Sequence, residues 1–309
     1  MTAVANKLNA KQPVSPAKRK KKKIPWGQIV LVSVIFVFVL TCVLPFLNVI
    51  AISLSSKSAI LRGDVSFWPV EFETAAYEIL FADKSMIQCL FYTVELTVIY
   101  TALAMVLTIL MAYPLTKKRL RGRKFFNFLA LFTMYFSGGT IPIYLNVKDF
   151  QLLDTMWSLI IPGLLSTYNM IIMRSFFASL PNELEEAATI DGANDFQILL
   201  QVYLPLSLAS IATLTLFYAV GKWNSFADAK YYIQTKALQP LQLRLYNIIK
   251  GSTAVDVTAI EGNANSNAQN VSESIESATI IFATLPILVV YPFVQRYFVS
   301  GVTIGAVKG

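Results

Sequence analysis

The residues best suited to do work stand in one short stretch. Between positions 178 and 202 lie Glu183, Glu185, Glu186, Asp191 and Asp195, with no lysine or arginine among them. The chain has no histidine, which excludes His-based triads, metal sites and proton relays. It also lacks G-x-x-x-x-G-K-[ST], so it cannot cradle the phosphates of ATP. What remains for the acidic run is recognition, and a basic or polar cleft on another protein suits it. Local sequence gives it a shape. Asn182 is placed to cap a short helix, with Glu185 three positions on as its capping-box partner. Glu183, Glu185 and Glu186 then fall in the first turn, where acids suit the helix dipole. Gly192 suits a left-handed stop, and Asn194 or Asp195 can cap a second short helix running into Leu204 and Pro205. The expectation is an exposed helix, sharp turn and helix, with Ala187 and Ala188 leaving a flat surface against which a neighbour can pack.

The elements that must carry this elbow are membrane spans. Apolar residues make up 55% of the 309 positions and charged residues 14%, against about 25% charged in soluble chains. That argues against a soluble enzyme, a disordered chain or a nucleic-acid-binding module. Six stretches approach the roughly 20 apolar residues that a membrane helix needs: 26–50, 88–112, 126–145, 156–177, 203–223 and 277–295. The third and fourth are interrupted by Gly and Pro, and no alternating ten-residue segments point to a β-barrel. The fold class is therefore an all-α polytopic bundle of six transmembrane helices. Residues 1–25 carry eight basic residues and no acid, and the connection 113–125 carries six and no acid. The positive-inside rule then places both termini in the cytoplasm, together with the connections after spans two and four. The predicted layout is a basic tail over 1–25, a transmembrane domain over 26–300 and a cytoplasmic tail over 301–309. Within the domain lie the elbow at 178–205 and an external loop at 224–276. Cys42 and Cys89 read as small buried hydrophobes, and the charge of +8 as a topology signal with anionic-lipid contact rather than a nucleic-acid site.

Glu186-Ala187-Ala188, Gly192, Val202 and Leu204-Pro205, at their mutual spacing, resemble the EAA loop of ABC-importer permeases, with Val202 where the family has Ile. FSGGTIP at 136–142, FYAVGKWNSF at 217–226 and the ending from Gln295 resemble the MalG-like carbohydrate-uptake subunits, of LplC/YtcP type, over most of the chain from residue 26. The resemblance implies a MetI-like transmembrane domain in the cell membrane of a bacterium. It implies a permease without enzymatic activity, importing an oligosaccharide or polysaccharide by alternating access. Its partners would be a second homologous permease, a cytoplasmic ATPase dimer that binds ATP and Mg, and an extracellular solute-binding lipoprotein. Glu185, Glu186, Ala187, Ala188, Asp191, Gly192, Leu204 and Pro205 would couple the ATPase to the spans. The external loop and the tail from Ser300 would be further contact candidates.

For the sugar, aromatic plates beside amides are the chemistry to look for. Tyr135, Tyr168, Asn169, Tyr218, Trp223 and Asn224 are candidates, although aromatic residues at span ends also form interfacial belts. Gly138, Gly139 and Pro142 break the third span, either to line a pathway or to let helices pack closely. Glu95 is the only acid inside a predicted span, facing either a cavity or the interface. Two rivals stay open at this point: a stand-alone secondary transporter or channel, and an integral-membrane enzyme.

Overall fold

A computed structural model describes the backbone over 26–250 and 266–306, and side chains over 26–250, 273–292 and at 295. The basic tail at 1–25, the polar stretch 251–265 and residues 307–309 lie outside the described residues. Among the described residues everything regular is helical, and one isolated bridge joins Ser55 to Phe72. In chain order the helices are α1 (Trp26–Ser53), α2 (Lys57–Leu61), α3 (Ala75–Ala82), α4 (Lys84–Thr116), α5 (Arg123–Tyr135), α6 (Thr140–Asp149) and α7 (Met156–Ile160). They continue with α8 (Thr167–Phe177), α9 (Asn182–Ile190), α10 (Asp195–Ile198), α11 (Leu204–Leu206), α12 (Leu208–Trp223), α13 (Ala227–Tyr232), α14 over 241–250 and α15 (Ser266–Ala306). Residues 266–276, read from sequence as polar and weakly structured, are the first turns of α15.

The chain divides into two compact units, residues 1–46 and 47–309. In the first, every side chain from Trp26 to Val43 is exposed. Such a helix is apolar all round, as a span in lipid is. Cys42 is exposed accordingly; a helix without an inward face has nowhere to bury it. In the second unit α4 is the axis. It packs against α8 and α12, and α15 packs on α12, α2 and α3.

Among the described residues three helices are long and apolar enough to cross a bilayer, within α1, α4 and α15. The other three expected spans are bent pairs: α5 with α6 at 112°, α7 with α8 at 52°, and the segment Asp195–Leu206 with α12 at 84°. The first bend was expected at the Gly pair, and Gly139 there has φ +86°. The last puts residues 203–206 of the predicted fifth span before the bend and α12, from Leu208, after it. Residues Leu199–Tyr203 form a π turn, Pro205 lacks an amide donor, and the chain swings at Ser207. Asp195–Leu206 thus runs nearly at right angles to the span that follows.

A bend at membrane depth frees backbone groups that lipid cannot satisfy. The α7–α8 bend is stitched by side chains from α4 and α12. The Lys222 ammonium donates to the Leu159 carbonyl, and the Tyr100 hydroxyl donates to the Gly163 carbonyl at 2.6 Å. The Ser166 amide donates to the Tyr218 hydroxyl at 3.2 Å, and that hydroxyl also pairs with Thr108 Oγ1 at 2.7 Å. Lys222 is 8% exposed and lies 4.8 Å from the Tyr100 ring centre. A cation suits the C-terminal end of α7, where the helix dipole is negative. At the end of α4 remote from the elbow, Trp223 Nε1 donates to the Ala283 carbonyl at 3.1 Å, and the Leu241 amide donates to Thr93 Oγ1 at 2.8 Å. These bonds tie α12 to α15 and α14 to α4.

Tyr218→Phe leaves the half-buried Ser166 amide and the buried Thr108 hydroxyl without their shared partner. The expected loss is about 1–3 kcal/mol, read as a lower thermal midpoint of the detergent-solubilised protein. An unchanged midpoint would show that the bend does not need this stitch.

Candidate functional site

The acidic elbow forms as helix, turn and helix. Pro181, not Asn182, occupies the N-cap position of α9, with no side-chain cap. The expected capping box is absent, since proline offers neither a side-chain acceptor nor an amide donor, and Glu185 bonds Lys117 and Tyr203 instead. The C-terminal end is a Schellman motif: the Ala193 amide donates to the Ala188 carbonyl at 3.0 Å and the Gly192 amide to the Thr189 carbonyl at 3.1 Å. Gly192 has φ +84°, a conformation that costs a residue with a side chain about 1–2 kcal/mol. Asn194, rather than Asp195, caps α10 in a full capping box with Gln197, both bonds 2.9 Å.

Glu185, Lys117 and Tyr203 converge beneath the elbow. Lys117 Nζ lies 2.6 Å from Glu185 Oε2 and 3.1 Å from the Tyr203 hydroxyl, which itself donates to Glu185 Oε2 at 2.8 Å. The ammonium also sits 4.1 Å from the Tyr113 ring centre and 4.3 Å from that of Tyr203. Tyr113, Phe177 and Tyr203 meet edge to face, with centroids 5.0–6.4 Å apart. The cage therefore joins the end of α4, the end of α8, the π turn and α9. Burial pushes the Glu185 carboxyl up, but Lys117 and Tyr203 outweigh it and hold it below the usual carboxylate range. Burial likewise pushes the Lys117 ammonium down, against the pull of Glu185.

A second ion pair, Arg119–Asp195, links the same basic connection to α10. Its side chains are 63% and 60% exposed, so it contributes about 0–1 kcal/mol. Lys117 is 9% exposed and Glu185 22%. Removing either leaves a charge unpaired beside an apolar cluster, which is the costly case. The Lys117 pair is thus the firm joint and the Arg119 pair a weak one.

The other elbow residues divide between two faces. Glu186, Ala187, Asp191, Gly192 and Pro205 are exposed, while Ala188 and Leu204 are half-buried against the core around α4, α8 and α12. One alanine of the pair thus lets the elbow sit close to its own body, and the other faces out. Ile190 and Phe196 add exposed apolar surface to that outer face. Among the described residues no cluster of three or more His, Cys, Asp or Glu is placed to hold a metal ion.

The chain matches the family of binding-protein-dependent transport system inner membrane components over residues 104–304. It belongs to that family. The permease is 41% identical to the polygalacturonan/rhamnogalacturonan transport system permease protein YtcP of Bacillus subtilis, over 89% of this chain and 96% of YtcP. It is 42% identical to Protein LplC of the same organism, over 86% and 90% of the two chains. Its structure superposes with TM-score 0.78, at 33% identity, on a chain of a bacterial ABC transporter involved in import of the acidic polysaccharide alginate. That match covers 87% of this chain and 95% of the other. Fold class, family and the non-enzymatic transport role expected from the EAA-like residues therefore stand, and the rival readings do not.

The permease spreads the proposed sugar-facing residues over different surroundings. Tyr218, Trp223 and Asn169 are buried within the chain, and Tyr218 and Trp223 bond backbone. Tyr135, Gly138, Gly139, Pro142, Tyr168 and Asn224 are exposed on its surface, as is Glu95. Sequence reasoning missed Lys117, Tyr203, Tyr113 and Phe177. The signal was available: six positive charges at 113–125 and five negative ones at 178–202 were both assigned to the same side.

Two outcomes follow for the elbow. Asn194→Ala removes the capping box at a cost of about 1 kcal/mol, read as faster amide exchange at 195–198. The Glu185 pair contributes fully above its ordinary pKa of 4.5 and is lost as pH falls through the depressed value. Amide protection in α9 should hold at pH 5 and above and fall at lower pH; protection independent of pH over that range would contradict the pairing.

Proposed function

We propose that this permease is one of two homologous membrane subunits of an importer for acidic polysaccharide fragments, and that a separate ATPase dimer drives it through the acidic elbow. The observation that carries the reading is the elbow itself. It is a helix, turn and helix held to the body on one side by Glu185, Ala188 and Leu204. It offers Glu186, Ala187, Asp191 and Ile190 on the other. A lever of this kind needs firm anchorage inward and a dockable face outward.

The charge pattern supports an arrangement with both termini and the elbow in the cytoplasm. The ATPase supplies the ATP and Mg sites that this sequence lacks. An extracellular binding lipoprotein delivers the sugar, and closure of the ATPase pair rocks the spans so that the pathway opens inward. The substrate class is supported by two relatives whose names specify polyuronates or alginate. Both cargos carry carboxylates along the chain.

In the assembled importer, Gly192→Val strains the turn and Glu186→Lys reverses charge on the outer face. Each is expected to lower ATP-driven uptake of oligogalacturonate about tenfold or more and to weaken retention of the ATPase during purification. Normal uptake with normal ATPase retention in both variants would remove the elbow from the mechanism. A purified complex that takes up neutral oligosaccharides while ignoring uronate chains would refute the substrate assignment.

A further inference from the structure

We infer that Lys117 is a positioning residue for energy coupling: the Lys117–Glu185–Tyr203 triangle is a closed strut through which elbow movement reaches the second span. The inference rests on the elbow being the ATPase lever. It goes further in naming the side chains that pass the movement on.

The geometry sets this joint apart from the rest of the elbow's attachments. Lys117 follows α4 directly, α4 ending at Thr116. Any push on its ammonium acts on the axis against which α8 and α12 pack. Glu185 lies in the first half of α9, on the face opposite Glu186 and Ala187 in exposure. Tyr203 closes the triangle from the π turn, four residues before the 84° swing into α12. Three elements that must move together thus meet at one carboxylate oxygen, Glu185 Oε2, which accepts from both Lys117 and Tyr203.

Directionality distinguishes a strut from mere packing. Charge-assisted bonds at 2.6 and 2.8 Å fix both distance and angle. The aromatic walls of Tyr113 and Tyr203 keep the ammonium from swinging out, at 4.1 and 4.3 Å. Arg119–Asp195, mostly exposed, gives way under load. The basic connection therefore has a role beyond orienting the chain in the membrane.

The test uses the complete importer, reconstituted in vesicles with its ATPase, its binding protein and an oligogalacturonate. Uptake and ATP hydrolysis are measured together. Lys117→Met is expected to leave the ATPase bound and hydrolysing while uptake per ATP falls about tenfold. The double variant Lys117→Met with Glu185→Gln removes both charges, keeps the Tyr203 bond and guards against misfolding from an unpaired carboxylate. It is expected to recover thermal stability without recovering coupling. Replacing Lys117 and Glu185 by cysteines, in a chain with Cys42 and Cys89 changed to serine, gives a joint that a short bis-methanethiosulfonate linker can close, each thiolate displacing methanesulfinate to form a disulfide. Uptake per ATP should be low before linking and restored after it. The strut is refuted if Lys117→Met keeps normal uptake per ATP, if the double variant recovers coupling, or if linking abolishes residual uptake. Gly192→Val serves as the control for the underlying reading. Should it also leave uptake untouched, the elbow is not the lever; should it alone abolish uptake, only the strut fails.

Discussion

A bilayer offers no hydrogen-bond partner to a freed backbone group, and among the described residues three of the six candidate spans are bent pairs. Much of what surrounds α4 answers that constraint. Lys222, Tyr100 and Tyr218 satisfy the groups released between α7 and α8. At the exposed elbow, outside the spans, the capping box of Asn194 and Gln197 and the Schellman bonds around Gly192 pair helix-end groups within the chain. Long straight helices would have needed none of this, and they would also have had no elbow to push. The bends bring α9, the π turn and the end of α8 to one place at the end of α4. That convergence allows a single charge pair, with Lys117 buried and Glu185 half-buried, to join four elements.

Charge is distributed along the same logic. Exposed pairs such as Arg62–Asp64 and Arg119–Asp195 add little and yield easily. Lys117 and Glu185, in an aromatic cage, resist separation because each would leave the other unpaired away from water. Lys222 sits in the interior with no ion pair among the described residues and is held by a carbonyl and a ring face. The two buried lysines therefore differ in kind. One stitches backbone within the spans, and the other ties the spans to the acidic elbow.

Much of the fold was legible in sequence because its signals are local. Apolar runs gave the six stretches, the Gly138–Gly139 pair gave the first bend, and Gly192 gave the elbow's left-handed turn. Two errors were also local in origin. Asn182 was read as a cap because its side chain suits the role, yet Pro181 takes the position and Glu185 bonds across to another helix. Span five was read as straight from 203 because the apolar run begins there, and hydropathy does not register a π turn followed by Pro205. The site was legible only in half. The outward face follows from motif spacing, whereas the inward anchor joins residues 68 and 86 positions apart, Lys117 with Glu185 and with Tyr203. Pairing at that separation follows from the tertiary fold. The buried positions of Tyr218 and Trp223 were hidden for the same reason, since an aromatic residue near a span end looks alike in sequence whether it faces sugar, lipid or core.

The central claim is that an external motor, gripping the elbow, supplies the energy for import. The most direct measurement compares vesicles holding the two permease subunits with and without the ATPase. Binding protein and oligogalacturonate are outside, and ATP is enclosed. Accumulation against a gradient only when the ATPase is present is the predicted result, and accumulation by the permeases alone would contradict it.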